Sequence, residues 1–323
     1  MPERDLYLDS ARRMVPPLVS GDPSTVQPHK GSMGRVCVIG GCEEYTGAPY
    51  FAAMSALRTG ADLAHVFCTA DAAGVIKSYS PELIVHPTLP SEGAGAETAT
   101  IAAARIAEWL PRCSCLVVGP GLGRDATLLA CAAEIITRAR DLDVPMVLDA
   151  DALWLLNEKP DLIKGYAKAV LTPNAAEYPR LAIALGLAAD VDAGVLAAAL
   201  GGVTVIRKGY VDDISNGRAS ARVTNFGSSR RCGGLGDVLA GSIATFMGWG
   251  SMGATSDDPI VWPVVAAYGG AVLARTASKW AYDQHRRSVV AGDVIRMIGP
   301  AFDEKFDSSS TNSGKQVGFV VDS

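Results

Sequence analysis

Residues 227–241 read GSSRRCGGLGDVLAG, and this glycine-rich turn with the apolar run behind it decides how the fold is interpreted. Four glycines fall within ten residues, ahead of a predicted helix that starts near Leu235. Free backbone N–H groups and the helix dipole make such a start a ready anion site. Arg230 and Arg231 add positive charge, and Asp237 in the first turn can accept a proton from a hydroxyl aimed at the anion. The stretch therefore predicts phosphate binding beside a general base.

A structural interpretation of the same residues competes with this one. Asp237 would then be an acidic residue favoured by the helix dipole, and the glycines would serve helix packing. That account explains neither the density of glycines nor the two arginines.

Outward from this turn, short β-branched runs alternate with longer Ala/Leu-rich runs between Gly34 and about Ala301. Several runs are apolar throughout, which is typical of parallel strands covered by helices on both faces. Asn216-Gly217 between two such runs predicts one antiparallel hairpin. The predicted strands are Arg35–Ile39, Leu63–Cys68, Leu83–His86, Cys115–Val118, Met146–Asp149, Ala169–Thr172, Thr204–Arg207, Val211–Ile214 and Ala221–Thr224. The predicted helices are Pro49–Thr59, Thr98–Leu110, Ala126–Arg140, Asn174–Leu185, Gly194–Leu200, Gly236–Met247 and Pro259–Ala281.

This alternation predicts an α/β chain with a three-layer α/β/α fold around a central, mostly parallel sheet. Within the 323 residues we expect an N-terminal extension (1–27), one domain (28–302) and a disordered C-terminal tail (303–323). The tail prediction depends on the polar run Ser308–Gly314.

Composition narrows the function classes. A net charge of -5 argues against a nucleic-acid surface, and no run is apolar and long enough to span a membrane. Seven scattered cysteines predict reduced thiols and a cytoplasmic location, with a mitochondrial pool left open. With four histidines and no paired spacing, we expect no protein-built metal site. Whether the chain forms a homo-oligomer is left open.

Ligands of such sheets lie outside the carboxyl ends of the strands, where this chain is rich in Gly, Asp and Asn. Gly119–Arg124 has GxGxG spacing and a proline, so it fits a ligand-lining loop better than a dinucleotide fingerprint. Asp151 can cap a helix, whereas Asp149 at the strand end can serve metal-bound phosphates. Asn174 with Glu177 fits a capping box as well as a ligand site.

Together these motifs resemble one family. GGxGD followed by Leu-Ala-Gly is similar to the anion-hole and catalytic-base signature of the ribokinase-like superfamily. The order and spacing of the other motifs resemble the ATP-dependent NAD(P)H-hydrate dehydratases over residues 28–300. These motifs are Lys30-Gly31, Gly40-Gly41, Tyr45–Pro49, Ser80–Glu82, Gly119–Arg124, Asp149–Asp151, Thr172–Asn174 with Glu177 and Arg180, and Lys208-Gly209.

The resemblance implies ATP with Mg²⁺, and as substrates the S forms of NADHX and NADPHX, hydrated at C6 of the ring. It implies that Asp237 is the base and that Gly234, Leu235 and Gly236 form the anion hole, although the family usually has Gln at the position of Leu235. The implied hydrate site comprises Gly121, Asn174, Ala175, Ala176, Glu177, Tyr178, Pro179, Arg180 and Asp237. The implied ATP site comprises Lys208, Gly209, Tyr210, Val211, Asp212, Gly227, Ser228, Ser229, Arg230, Arg231, Cys232, Gly233, Gly234, Leu235 and Gly236.

Two other function classes share the Asp237 base and the anion hole. A superfamily kinase for a hydroxymethylpyrimidine or thiazole alcohol would keep its phosphorylated product. A nucleotide sensor would bind without turnover, which the intact Asp237 and both arginines disfavour. The Asn174, Glu177 and Arg180 set favours the dehydratase.

Overall fold

The computed structural model describes residues 5–16, 29–253 and 261–307. These residues form one nine-stranded sheet in the order β3-β2-β1-β4-β5-β6-β7-β8-β9. The strands are β1 (Arg35–Ile39), β2 (Leu63–Cys68), β3 (Ile84–Pro87), β4 (Cys115–Val118), β5 (Met146–Leu148), β6 (Ala169–Leu171), β7 (Thr204–Arg207), β8 (Asp212–Ser215) and β9 (Ser220–Val223). Strands β1 to β7 pair in parallel, and β8 is antiparallel to both of its neighbours. Each predicted strand is present with ends within one residue.

The predicted hairpin joins β8 to β9. Asn216 Oδ1 accepts hydrogen bonds from the backbone N–H groups of Arg218 (3.0 Å) and Ala219 (2.8 Å). Gly217 has a φ of +83°, which suits a glycine in a tight turn. The Asn-Gly pair therefore forms the predicted turn, because the asparagine side chain accepts backbone hydrogen bonds and the glycine adopts a positive φ.

Helices cover both faces of the sheet. The helices are α1 (Leu6–Met14), α2 (Gly47–Thr59), α3 (Ala70–Tyr79), α4 (Ala96–Ala107), α5 (Ala126–Asp141), α6 (Asp151–Glu158), α7 (Glu177–Ala184), α8 (Ala193–Ala199), α9 (Leu235–Met252), α10 (Trp262–His285) and α11 (Ala291–Phe306). Val36 and Val38 of β1 point into the core that α1–α3 and α9–α11 cover. Cys37 and Ile39 point into a second core, which lies under α4–α8. The three-layer α/β/α arrangement is confirmed.

Three helices were not predicted: α1, α3 and α11. The helix that Asp151 is expected to cap is α6, where Ala150 is the N-cap residue and Asp151 lies in the first turn. Helix α11 carries Gly292, Gly299 and Pro300, which interrupt its apolar pattern in the sequence. It continues to Phe306, so the tail predicted from residue 303 overlaps the helix by four residues. The polar run that motivated the tail, and the predicted start of α10 at Pro259, lie outside the described residues.

The N-terminal extension packs against the domain. The Tyr268 hydroxyl of α10 donates a 2.6 Å hydrogen bond to the Asp5 carboxylate, and Tyr7 of α1 donates through its hydroxyl to the carbonyl of Ser220 (2.8 Å). Ala11 is fully buried in the core. Residues 5–14 are therefore part of the packed structure.

The expectation that all cysteines are free thiols is wrong for one pair. Cys37 and Cys113 form a disulfide, with 6.0 Å between their Cα atoms. They are 76 residues apart in the chain, and they meet because β1 and β4 are neighbours in the sheet. Sequence spacing does not reveal this neighbourhood. The other five cysteines are free.

A pair of histidines packs against Phe67 of the second core. His65 on β2 is 3% exposed, and its Nδ1 lies 2.9 Å from Nε2 of His86 on β3. Burial, with smaller contributions from His86 and Arg35, lowers the pKa of His65 to about 4. The ring is therefore neutral in the folded protein at pH 7, and the unfolded chain binds a proton there more readily.

This burial predicts an acid-dependent loss of stability. Because the folded-state pKa of His65 is below the unfolded value of 6.5, the stabilisation is complete above pH 6.5 and falls as the pH drops towards 4. Between pH 7 and pH 5 this residue should reduce the free energy of unfolding by about 2 kcal/mol. Urea denaturation of the wild type and of His65→Leu would measure it. His29→Gln, which changes an exposed histidine, is the control and should keep the wild-type pH dependence. An unchanged slope in His65→Leu would contradict the assignment.

Candidate active site

The carboxyl ends of the parallel strands define one edge of the sheet. The strand order reverses between β1 and β4, and ligands of open α/β sheets bind at such a crevice. The loops after β1, β4, β5, β6 and β7 all leave from this edge. The motifs singled out at strand ends are therefore brought together.

Helix α9 begins at this edge with the predicted glycine turn. Gly234 is its N-cap residue, with a left-handed φ of +90°. A Cβ on Gly234 would lie 2.7 Å from Ala291 and 2.8 Å from Phe51, so both backbone conformation and packing require glycine. The Leu235 side chain packs against the apolar core. Leu235 can therefore offer a ligand its backbone N–H, whereas its side chain is occupied with packing.

A buried ion pair lies beneath the first turn of α9. Lys208 Nζ is 3.0 Å from Asp149 Oδ1, and the two side chains are 17% and 4% exposed. The hydroxyl of Thr172 donates to the same carboxylate oxygen at 2.7 Å. A Cβ on Gly236 would lie 3.3 Å from Lys208 Nζ and 3.5 Å from Asp149 Oδ2. This pair therefore contacts the backbone next to Asp237.

Burial raises the pKa of the Asp237 carboxyl well above its usual value. The negative charge of Asp149 adds to this rise in pKa, and the positive charge of Lys208 opposes it. Burial lowers the pKa of Lys208, but Asp149 and Glu177 more than offset this, so the net pKa is raised. Perturbed groups of opposite sign in one cleft are typical of a catalytic centre.

The capping box predicted at the start of α7 is present. Asn174 Oδ1 accepts hydrogen bonds from the backbone N–H groups of Ala176 (2.8 Å) and Glu177 (3.0 Å). In return, Glu177 Oε2 accepts from the Asn174 N–H at 2.9 Å. Burial raises the pKa of Glu177, while its hydrogen bond with Asn174 and the charge of Lys208 counter this. The cap thus holds Glu177 next to the Lys208 ammonium.

The residues expected to line the hydrate site differ in exposure. Asn174, Ala175, Ala176 and Arg180 are exposed, whereas Tyr178 is 1% exposed and belongs to the second core. The Tyr178 hydroxyl donates to the Val191 carbonyl at 2.7 Å, so its side chain supports α7 and does not line the cleft. Pro179 is half-buried on the same helix.

Gly121 lies in the loop after β4, and its backbone carbonyl accepts hydrogen bonds from Gly41 (2.9 Å) and Cys42 (3.0 Å). The loop is held in place by Asp151, which accepts from the Gly123 N–H at 3.0 Å and pairs with Arg124 at 3.2 Å. Asp151 lies in the first turn of α6, where Ala150 is the N-cap residue. Its carboxylate thus orders this loop, in addition to any effect on the α6 helix.

A residue that sequence reasoning missed ties the first segment expected to bind ATP to Asn225, which lies just before the second segment. Arg275 of α10 makes two hydrogen bonds to the buried Asp212, at 2.6 Å and 2.7 Å. It also donates to the carbonyls of Gly209 (2.9 Å), Tyr210 (3.0 Å) and Asn225 (3.2 Å). Asp212 fixes the guanidinium group of Arg275, and Arg275 in turn holds the loop after β7 in place. An arginine inside an otherwise apolar helical run is the one signal that the sequence offered.

The two arginines of the turn before α9 bind different parts of the protein. Arg231 is exposed and donates to the Gly209 carbonyl at 3.4 Å, while Arg230 donates to the carbonyl of Arg287. Ser228 accepts from the Arg230 N–H at 3.0 Å. Among the other predicted ATP-site residues, Tyr210, Ser229 and Gly233 are exposed, and Val211, Gly227 and Cys232 are half-buried.

Two classes of site are absent from the part of the chain that the structure describes. No group of three or more His, Cys, Asp or Glu side chains there is placed to hold a metal ion. Within the same residues, no helix is both long and apolar enough to cross a membrane.

Comparison with solved structures defines the class of fold. A ribokinase-like superfamily protein from Enterococcus faecalis superposes with a TM-score of 0.66 at 22% identity, covering 92% of this chain and 94% of that one. The ADP/ATP-dependent NAD(P)H-hydrate dehydratase from Bacillus subtilis, co-crystallised with ATP and Mg²⁺, gives 0.65 at 18% identity, covering 92% and 97%. The fold is therefore ribokinase-like.

Sequence comparison identifies the family. The family model described as NAD(P)H-hydrate dehydratase matches residues 36–300. A Bos taurus protein named ATP-dependent (S)-NAD(P)H-hydrate dehydratase is 45% identical over 317 residues, which cover 95% of this chain and 91% of that protein. This chain belongs to the NAD(P)H-hydrate dehydratase family.

The contacts of Arg275 predict a large stability effect. Arg275→Met leaves the buried Asp212 without its charge partner and should reduce the free energy of unfolding by about 3–5 kcal/mol. Arg222→Met is the matched control, because it breaks the exposed pair with Asp213 and should cost at most about 1 kcal/mol. Urea denaturation measures both variants. Equal losses would show that Arg275 is not the anchor of the loop.

Proposed function

We propose that this chain dehydrates the S forms of NADHX and NADPHX back to NADH and NADPH, with ATP converted to ADP and phosphate. Family membership supports the repair reaction, and the relative from Bos taurus carries this activity in its name. The observation that carries the mechanism is the position of Asp237 in the first turn of α9, directly after a glycine turn that presents free N–H groups.

Asp237 acts as the general base in this proposal. The C6 hydroxyl of the hydrate attacks the γ-phosphorus of ATP while its proton passes to the Asp237 carboxylate. The bond from the γ-phosphorus to the bridging oxygen breaks, and its electron pair leaves with ADP. Backbone N–H groups of Gly234, Leu235 and Gly236 stabilise the charge on the phosphoryl oxygens during transfer.

Phosphorylation then makes the second step easy. The lone pair of the ring nitrogen expels phosphate as the C6–O bond breaks, and the neighbouring ring carbon loses a proton to restore the dihydropyridine. The protein's contribution is position and electrostatics, because the substrate ring supplies the electrons. A kinase that keeps its product would have no such route, since its product lacks the ring nitrogen in this position.

ATP is proposed to lie along the segments Lys208–Asp212 and Gly227–Gly236, which the hydrogen bond from Arg231 to the Gly209 carbonyl connects. Mg²⁺ in such sites is held largely by nucleotide phosphates and water, and it stabilises the phosphate charges. The described residues offer no preformed cluster for the ion, so we assign it no side-chain ligand. The hydrate is proposed to lie between Gly121 and the exposed start of α7.

The base assignment is tested by Asp237→Asn, which keeps the size of the side chain but cannot accept the proton. The kcat should fall by about 10²–10⁴-fold while binding of ATP and hydrate changes little. If Asp237 serves only the helix dipole, the variant would instead lose about 0.3–1 kcal/mol of stability and keep its rate. Recovery of dihydronicotinamide absorbance and thermal melting on one preparation distinguish the two.

The anion hole is tested by Gly236→Ala. Gly236 has ordinary helical φ, and the nearest atoms to a new Cβ are Lys208 Nζ at 3.3 Å and Asp149 Oδ2 at 3.5 Å, so the fold should tolerate the change. The methyl group would hinder close approach of phosphate, and KM for ATP should rise roughly tenfold. Gly299→Ala on α11, where no atom lies within 4 Å, is the matched control. Wild-type kinetics in Gly236→Ala would refute this position of the phosphates.

A further inference from the structure

The ion pair between Asp149 and Lys208 is buried, with side chains that are 4% and 17% exposed. A buried pair is weak evidence for stability, because removal of two charges from water costs about as much as their attraction returns. Three polar groups nevertheless meet at this point: Lys208 and Thr172 both donate to Asp149 Oδ1, at 3.0 Å and 2.7 Å. The arrangement therefore calls for a role other than holding the fold.

The position of the pair indicates that role. Asp149 Oδ2 and Lys208 Nζ are the two atoms nearest to a Cβ placed on Gly236, the residue before Asp237. Helix α9 carries no other charged side chain, so the charges acting on Asp237 come from neighbouring elements, first of all from the two members of this pair at the strand ends. One of these charges is negative and the other positive.

We propose that Asp149 and Lys208 are positioning residues whose opposed charges set the pH at which Asp237 becomes an ionised base. The proposal rests on the base role of Asp237 proposed above. Asp149 holds the Lys208 ammonium under the first turn of α9, and Thr172 holds Asp149. Neither residue takes up the substrate proton.

The balance of charges explains why both partners are needed. Burial and Asp149 raise the pKa of Asp237, and Lys208 counters them. Without Lys208, the pKa of a buried carboxyl beside Asp149 would rise further, so a larger fraction of it would be protonated and unable to accept the substrate proton. Without Asp149, the ammonium would lose the partner that fixes its position, although Glu177 and Asp237 still face it.

One further charged group acts on Asp237 from the first turn of α6. Asp151 raises the pKa of Asp237, but it ranks below both members of the ion pair, and its own partner is the exposed Arg124. Asp151 is unchanged in all the variants below, so it contributes equally to each measurement.

Two variants should move the titration of Asp237 in opposite directions. In the full-length protein without ligands, Asp149→Asn should lower the pKa of Asp237 by about one unit or more, and Lys208→Met should raise it similarly. The readout is the ¹³C resonance of the Asp237 carboxyl against pH, assigned by its loss in Asp237→Asn. This readout needs no substrate.

The double variant Asp149→Asn/Lys208→Met removes both charges together. It leaves neither member of the pair as an unpaired buried charge, so it should fold where a single variant does not, and its Asp237 should titrate closer to wild type than in either single variant. Thr172→Val keeps both charges but removes one hydrogen bond that holds Asp149, so it should shift the titration of Asp237 less than either single charge removal does. The acidic limb of the kcat profile, with saturating MgATP and NADHX, should move in the same direction as the carbon titration.

Failure of this inference can be told apart from failure of the base assignment. Shifts in the same direction for both single variants, or a double variant that departs from wild type as far as either single variant does, would overturn the role of the pair. Full activity of Asp237→Asn would overturn the base instead, while the carbon titration would still report on the pair.

Discussion

The start of helix α9 is the constraint on which the site depends. Its first N–H groups have no partner within the helix, and Gly234 in a left-handed conformation adds no side chain of its own beside them. The parallel sheet then fixes what surrounds this helix start. Because β5, β6 and β7 end at the same edge, Asp149, Thr172 and Lys208 lie under one turn of helix.

The same edge explains why separate loops can act on one reaction. The Asn174–Glu177 cap orders the start of α7, and Asp151 orders the glycine loop after β4. Arg275, near the middle of the long helix α10, orders the loop after β7 in the same way. Each loop is therefore preorganised by contacts within the protein, which is the condition under which electrostatic stabilisation of a transition state is effective.

The sequence predicted local features well, because their physics is local. The Asn216-Gly217 turn, the capping box at Asn174 and the glycine turn before α9 each depend on contacts within a few residues. Contacts between distant segments escaped prediction: Arg275 with Asp212 is 63 residues apart, and the Cys37–Cys113 disulfide is 76. Tyr178 shows the same limit. It falls within the predicted ligand residues Asn174–Arg180, but its side chain is buried in the core.

The central claim is that the hydroxyl oxygen of the hydrate attacks ATP. Hydration of NADH in H₂¹⁸O gives NADHX with ¹⁸O in its C6 hydroxyl, and mass spectrometry of the products after one turnover with unlabelled MgATP follows that oxygen. The account predicts that ¹⁸O appears in inorganic phosphate, because the C6–O bond breaks only after phosphorylation. Recovery of the label in water, with unlabelled phosphate, would contradict it.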